Sequence, residues 1–277
     1  MPPEYQLASY WDDRFKHEQH FEWLGDGSDS ILPHLEAYLR STMIAPHVFP
    51  PRLLHIGAGS STLSERILET YRQVLRDNVD GRLIVNMDFS EVSVRQGEEV
   101  EGKRRLESER MQWVQADALK WSDLLTLADG QNAEGYFAII VDKSTSDAIS
   151  CADDIPLKSS PDLHPLLRSY VEESILPTGE PMFLHPVGLL ALHLASLVRP
   201  GGIWISLSYS SSRFAFLDHP VENDMGSIHP GVFWALERVE GVEAPSGQQK
   251  TGINAPNVLH QVYIMRRTDA PASARPR

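Results

Sequence analysis

The sequence predicts an α/β fold: a seven-strand, mostly parallel sheet with helices on both faces and a C-terminal antiparallel strand pair. Three observations carry this. From residue 53 onward, short apolar runs alternate with longer segments of helical periodicity, the pattern of parallel strands joined by crossover helices. The first run, "LLHIGA", leads straight into a glycine-rich turn and a helical pattern. The last two runs have no long helix between them, so they are expected to pair antiparallel.

Residues 1–50 precede that rhythm. They read as helical and aromatic, with "YWDDRF", "HFEWL" and "ILPHLEAYLR" separated by glycines and polar residues. The expected strands are then "LLHIGA", "RLIVNMD", "MQWVQA", "YFAIIVD", "GIWISLSYS", "FWALERVE" and "VLHQVYIMRR". Between the first five lie helices expected at 61–76, 90–107, 120–128 and 185–199. Two regions break the pattern. Residues 151–184 carry several prolines and one short helical segment, and residues 210–231 have little periodicity. Both follow the carboxyl ends of strands, where open α/β sheets bind ligands, so they are candidates for a substrate wall; surface elaboration without function is the alternative. The tail "TDAPASARPR" reads as disordered. The expected organisation is a helical cap over 1–50, a core over 51–267 with insertions at 151–184 and 210–231, and a disordered tail over 268–277. No internal repeat is visible.

Composition narrows the function classes. A chain of 277 residues can build one substantial α/β domain and still leave material for a lid or insertion. With 42% hydrophobic and 23% charged residues, most of it should fold. A formal charge of -13 argues against capture by a nucleic-acid backbone or an anionic membrane. The first residues lack the apolar core of a secretion signal, and no apolar stretch reaches membrane-spanning length. Cys151 is the only cysteine, which excludes an intrachain disulfide or a cysteine-rich metal site. The cytoplasm is the expected compartment, with no metal, nucleic-acid or membrane partner and a monomeric state.

The glycine turn raises the question of what it holds. Gly57 and Gly59 let the chain turn tightly after the first strand and bring backbone close to a ligand. A dinucleotide, a nucleoside triphosphate and S-adenosylmethionine are all open at this point. No GKS or GKT follows, which excludes a Walker loop. Thr62 stands where a dinucleotide fingerprint wants its third glycine, which weakens a nicotinamide reading. Asp88 ends the second strand, where a carboxylate accepts both hydrogen bonds from an adenosine ribose. Asp117 and Ala118 follow the third strand; there an acidic side chain accepts the adenine amino hydrogen bond and the next backbone N–H faces a ring nitrogen. Each acid alone is more often a solvated loop end. Three strand-end features in this order point to adenosine binding.

A fourth landmark is "AIIVDKSTSDAI", with Asp142 and Lys143 ending the fourth strand. At this point the sequence resembles the Rossmann-like, class I S-adenosylmethionine-dependent methyltransferases, and among them the methyltransferase-like 13 and elongation-factor-1A lysine methyltransferase 4 group. The resemblance rests on "YWDDRF", "LHIGAGSSTLS", "VNMDFSEVSV", "VQADALKW", "VDKSTSDAI", "LVRPGG" and "HQVYIMRR", and spans the whole core. It implies S-adenosyl-L-methionine as cofactor, with Gly57 and Gly59 near its methionine half, Asp88 on the ribose, Phe89 beside the adenosine, and Asp117 and Ala118 at the adenine. It also implies that Trp11 and Arg14 close over the cofactor, with Arg14 facing its carboxylate; a core anchor and a surface salt bridge are the plainer readings. Asp142 and Lys143 match the family's E-K-G or D-K-G segment, beside both cofactor and acceptor, but Ser144 replaces the usual glycine.

Methyl transfer from a sulfonium is an in-line substitution, so much of the rate comes from placement. Asp142, Lys143 and Tyr209 are the expected catalytic residues, the last because it ends the fifth strand. His185, His219, His229 and His260 are candidate bases by position, and Phe183, Phe214 and Phe216 candidate wall residues. Two acceptors compete. The family's lysine methyltransferases imply a protein amine. The apolar insertion at 151–184 instead suits a roofed pocket for a compact metabolite, and fungal thiol methyltransferases acting on epidithiodioxopiperazines look like relatives. The expectation favours a small-molecule thiol, with a protein-lysine acceptor as the alternative.

Overall fold

The computed structural model describes residues 3–18, 20–42, 49–76, 79–128, 136–157, 162–173, 182–217, 228–243 and 258–272. Seven strands form one sheet: β1 (Leu53–Ile56), β2 (Ile84–Asp88), β3 (Gln112–Gln115), β4 (Phe137–Lys143), β7 (Val198–Ser208), β8 (Trp234–Glu243) and β9 (Leu259–Arg267). Their order is β3-β2-β1-β4-β7-β9-β8. The first five are parallel, while β9 runs antiparallel to both β7 and β8. Each of the seven expected apolar runs is a strand.

The central strands are apolar on both faces because helices cover both. Alternate residues point opposite ways. Leu54, Ile56, Val85 and Ile140 pack into one core with α8 (Pro186–Leu197). Leu53, Ile84, Ile139 and Val141 pack into the other, with α2 (Leu32–Thr42) and α3 (Leu63–Leu75). All twelve residues of α8 are buried, since it is covered by the sheet on one side and by the 151–184 insertion on the other. α4 (Glu91–Gly102) lies so close to β3 that a Cβ at Gly97 would overlap the Trp113 ring at 2.2 Å. It ends at Gly102, five residues short of the expected boundary.

Among its described residues the insertion carries a two-strand pair, β5 (Ile155–Pro156) with β6 (Phe183–Leu184), and one helix, α7 (Pro165–Glu173). Its Leu157, Leu163, Leu167 and Leu184 enter the α8 core, while Cys151 and Ala152 at its start line the cleft described below. The tail also departs from expectation over 268–272. Arg267 donates to the carbonyls of Ala195, Thr268 and Ala270, and Ala272 is buried with its carbonyl accepting from Ser196. Those bonds dock a segment whose composition alone reads as disordered. Among the described residues, no helix is long and apolar enough to cross a membrane.

Candidate active site

A cleft opens at the carboxyl ends of β1, β2, β3 and β4, where the order reverses about β1 and the loops on its two sides splay apart. Its floor is the glycine turn. Gly57 and Gly59 have φ of +58° and +56°, a conformation L-residues rarely adopt. A Cβ at Gly57 would lie 2.0 Å from the Thr145 hydroxyl, which donates to the Ile56 carbonyl at 2.9 Å. The Gly59 N–H donates to Asp88 Oδ2 at 2.8 Å, and the Ser90 N–H to Asp88 Oδ1 at 2.9 Å. Burial pushes the Asp88 carboxyl up to about 6, with these two donors pulling the other way. Phe89, Asp117 and Ala118 line the cleft beside it. The Asp117 loop is set by its own carboxylate, which accepts the Leu119 N–H at 2.9 Å, and by His193 Nδ1, 2.9 Å from the Ala118 carbonyl. Sequence reasoning missed His193, one of two polar residues, with Ser196, in the otherwise apolar run "GLLALHLASL".

The opposite wall comes from the N-terminal segment around α1 (Ala8–His17). Tyr5, Trp11, Phe15, Phe21 and Trp23 all line the cleft. Tyr5 and Trp23 meet edge-to-face at 5.1 Å, and the Trp11 indole N–H donates to the Tyr5 carbonyl at 2.8 Å. Of these five, only Trp11 was singled out by motif. Arg14 corrects its expectation. It is absent from the lining and bonds Tyr10 Oη and Glu18, with its guanidinium 3.7 Å above the Phe21 ring. A cation on that face steadies Phe21 from behind and is not available inside the cleft.

The end of β4 divides in function. Asp142 is fully buried and does not line the cleft; its Oδ1 accepts the Thr145 and Ser146 N–H groups and its Oδ2 the Ser206 hydroxyl. It therefore caps α6 (Thr145–Ile149) and cannot reach a ligand, contrary to both roles expected for it. Ser144 holds φ of +66°, the left-handed place that a glycine usually fills, and its hydroxyl donates to Asp147 at 2.6 Å. Lys143 does line the cleft, but its ammonium lies 2.6 Å from Glu22 and 2.8 Å from the Gly25 carbonyl. Asp147, also lining, had no sequence signal: it accepts from Ser144, Ser208, the Tyr209 N–H and Arg213. Tyr209 stands at the mouth, half-exposed.

The candidate bases lie elsewhere. His185 and His229 accept the N–H groups of Val187 and Gly231 as caps of α8 and of α9 (Pro230–Phe233), and His260 is buried on β9. His219 lies outside the described residues. Phe214 is in the core, Phe216 packs against it and Phe183 is exposed; none of the three lines the cleft. The wall they were expected to provide comes from the N-terminal aromatics.

This arrangement fits an adenosyl cofactor. The turn leaves no Cβ in the way, the β2 carboxylate is held at the cleft, and the loop after β3 presents backbone and acid together. Comparison with known proteins agrees. Methyltransferase srdJ of Neurospora crassa is 29% identical over 265 residues, covering 95% of this chain and 84% of that protein. The strand order is that of the class I methyltransferase fold. No family model matches the chain. Solved structures that resemble it include magnesium protoporphyrin IX methyltransferase from Synechocystis, 10% identical with a TM-score of 0.46, covering 97% of this chain and 98% of that one. A protein solved in work on the conversion of a disulfide bond into a thioacetal during echinomycin biosynthesis is 14% identical with a TM-score of 0.48, covering 95% and 93%.

Proposed function

We propose that this protein uses S-adenosyl-L-methionine to methylate thiols on a small apolar metabolite of the epidithiodioxopiperazine type in its reduced, dithiol form. One observation carries the reading: the strongest bases near the acceptor end of the cleft are already committed. Lys143 is held by Glu22 and Gly25, Asp147 by four donors, and Asp142 by the start of α6. An ammonium or an alcohol needs a base to expose its lone pair. A thiol, with a free pKa of about 8.5, supplies a few per cent of thiolate at neutral pH unaided. The aromatic wall of Tyr5, Trp11, Phe21 and Trp23 suits a compact apolar acceptor.

In this reading Gly57 and Gly59 admit the methionine half of the cofactor, Asp88 takes the ribose hydroxyls, Phe89 packs beside the adenosine, and Asp117 with the Ala118 N–H reads the adenine. When bound, the cofactor supplies a methyl group on a positively charged sulfur, and that charge is discharged on transfer. The protein contributes placement: residues 1–50 act as a cap, Trp11 and Trp23 exclude water, and Tyr209 borders the acceptor. Within the superfamily we place the chain near the methyltransferase-like 13 and elongation-factor-1A lysine methyltransferase 4 group, on the motifs quoted above.

The test is transfer from isotopically labelled S-adenosylmethionine, offered a reduced dithiol dioxopiperazine and a protein extract in parallel. Label on sulfur of the small dithiol, seen as a methyl mass increment, is the expected result. Label confined to a lysine of one protein overturns the thiol assignment.

A further inference from the structure

Among the described residues of the N-terminal segment Glu22 is heavily bonded, and apart from His20 at 3.7 Å its partners lie on the core. Its Oε1 accepts the Thr62 N–H at 2.8 Å and the Thr62 hydroxyl at 2.7 Å. Its Oε2 accepts the Ser61 hydroxyl at 2.7 Å and the Lys143 ammonium at 2.6 Å. Ser61 and Thr62 close the glycine turn and lead into α3, and Lys143 ends β4, so one carboxylate joins both sides of the cleft floor. Lys143 then donates to the Gly25 carbonyl at 2.8 Å. That carbonyl is presented by a turn in which Leu24 and Gly25 have φ of +60° and +87°. A leucine keeps that conformation only where its surroundings hold it.

The charges match the geometry. The donors on Glu22 outweigh its burial and hold its carboxyl down to about 2, so it is ionised at any working pH. Burial pulls Lys143 below the ordinary lysine range, against the attraction of Glu22. The ammonium is thus a group whose charge depends on its partner. It is not a free base for the acceptor.

Glu22 also sits between Phe21 and Trp23, two of the rings that wall the cleft, and Trp23 supports Tyr5 at 5.1 Å and Trp11 at 6.2 Å. The rest of the segment is anchored separately, by Ser90 on Asp12 and Gln96 on the Phe15 carbonyl, both toward α4. The cofactor turn itself is fastened to this segment mainly at Glu22, with one longer bond from the Ser60 hydroxyl to the Glu18 carbonyl at 3.5 Å.

We propose that Glu22 and Lys143 form a latch: their ion pair holds Phe21 and Trp23 closed over the cleft, and its breaking gates release of the nucleoside cofactor. Both are positioning residues, and the proposal rests on the reading of this cleft as the cofactor site. The experiment is release of radiolabelled S-adenosylhomocysteine from the full chain, chased with unlabelled ligand. Glu22→Gln, which keeps the shape and removes the charge, should speed release on the order of 30-fold, as should Lys143→Met. The double variant should release no faster than either single one, because both break the same pair. Wild-type release rates in the folded single variants, or additive effects in the double one, overturn the latch while leaving cofactor binding intact. Should Lys143→Met fail to fold, Glu22→Gln decides alone. Failure of the wild-type protein to hold the ligand at all overturns the cofactor reading, and the latch with it.

Discussion

Replacing Gly57 with alanine tests whether the turn is as tight as its geometry states. Three costs add. The backbone has φ of +58°, where an L-residue loses roughly 1–2 kcal/mol. The new Cβ would lie 2.0 Å from the Thr145 hydroxyl, 2.8 Å from Cγ2 and 2.9 Å from Cβ. Rotating the Thr145 side chain clears the first two but leaves the third, because that Cβ is fixed by the backbone of α6. Such overpacking costs about 1–3 kcal/mol. A rotated Thr145 also gives up its bond to the Ile56 carbonyl, worth about 1 kcal/mol. The sum is about 4 kcal/mol. Gly201→Ala is the internal control: its φ is +76°, but nothing lies within 4 Å of the added carbon, so only the backbone cost of about 1 kcal/mol should appear. Urea denaturation of both variants measures the difference directly. Adding Thr145→Ala to Gly57→Ala should recover part of the loss. Equal destabilisation by Gly57→Ala and Gly201→Ala would refute the packing argument for this turn.

Three further outcomes are expected. Asp88→Ala should weaken S-adenosylhomocysteine binding by about 1.5–3 kcal/mol, the loss of charge-assisted hydrogen bonds, and calorimetric titration of a folded variant reads it; unchanged affinity removes Asp88 from the ribose. His185→Ala and His229→Ala should each cost about 1 kcal/mol of stability as lost caps, with methyl transfer retained once folded. A loss of turnover greater than a hundredfold in either would make it a base after all. His193 is buried neutral, its pKa pushed down by burial to about 4 from the ordinary 6.5. The unfolded chain therefore binds its proton first, so stability is full above pH 6.5 and falls as pH drops from 6.5 toward 4, by up to about 3 kcal/mol. His193→Gln should flatten that part of the pH–stability curve, and an unchanged slope would show that His193 does not carry it.

The sheet was legible because its signal is local. Leu53–Ile56, Ile84–Asp88 and Phe137–Lys143 are short apolar runs that only a doubly covered strand explains, and the positive φ of Gly57 and Gly59 is what their residue type permits. Asp88, Asp117 and Ala118 line the cleft, and their place in it was legible because each stands within a few residues of a strand end. Asp142 was misread for the same reason. Being next to last on β4 puts it near the cleft, yet the N–H groups of Thr145 and Ser146 turn its carboxylate away into the start of α6. No periodicity announced α6, whose "TSDAI" is too short and polar to show a face.

What the sequence determined by itself is the architecture and the glycine-turn side of the cleft, since strand periodicity, glycine turns and strand-end acids are written within a few neighbouring residues. What only the tertiary structure decided is the other wall and the fate of the charges. Glu22 meets Lys143 across 121 positions of chain, and Arg14 stacks on Phe21 instead of facing the cleft. Arg213 closes on Asp147 from a loop 66 positions on. Contacts of that separation arise from how the packed layers bring loops together, and composition carries no record of which buried charge will find which partner.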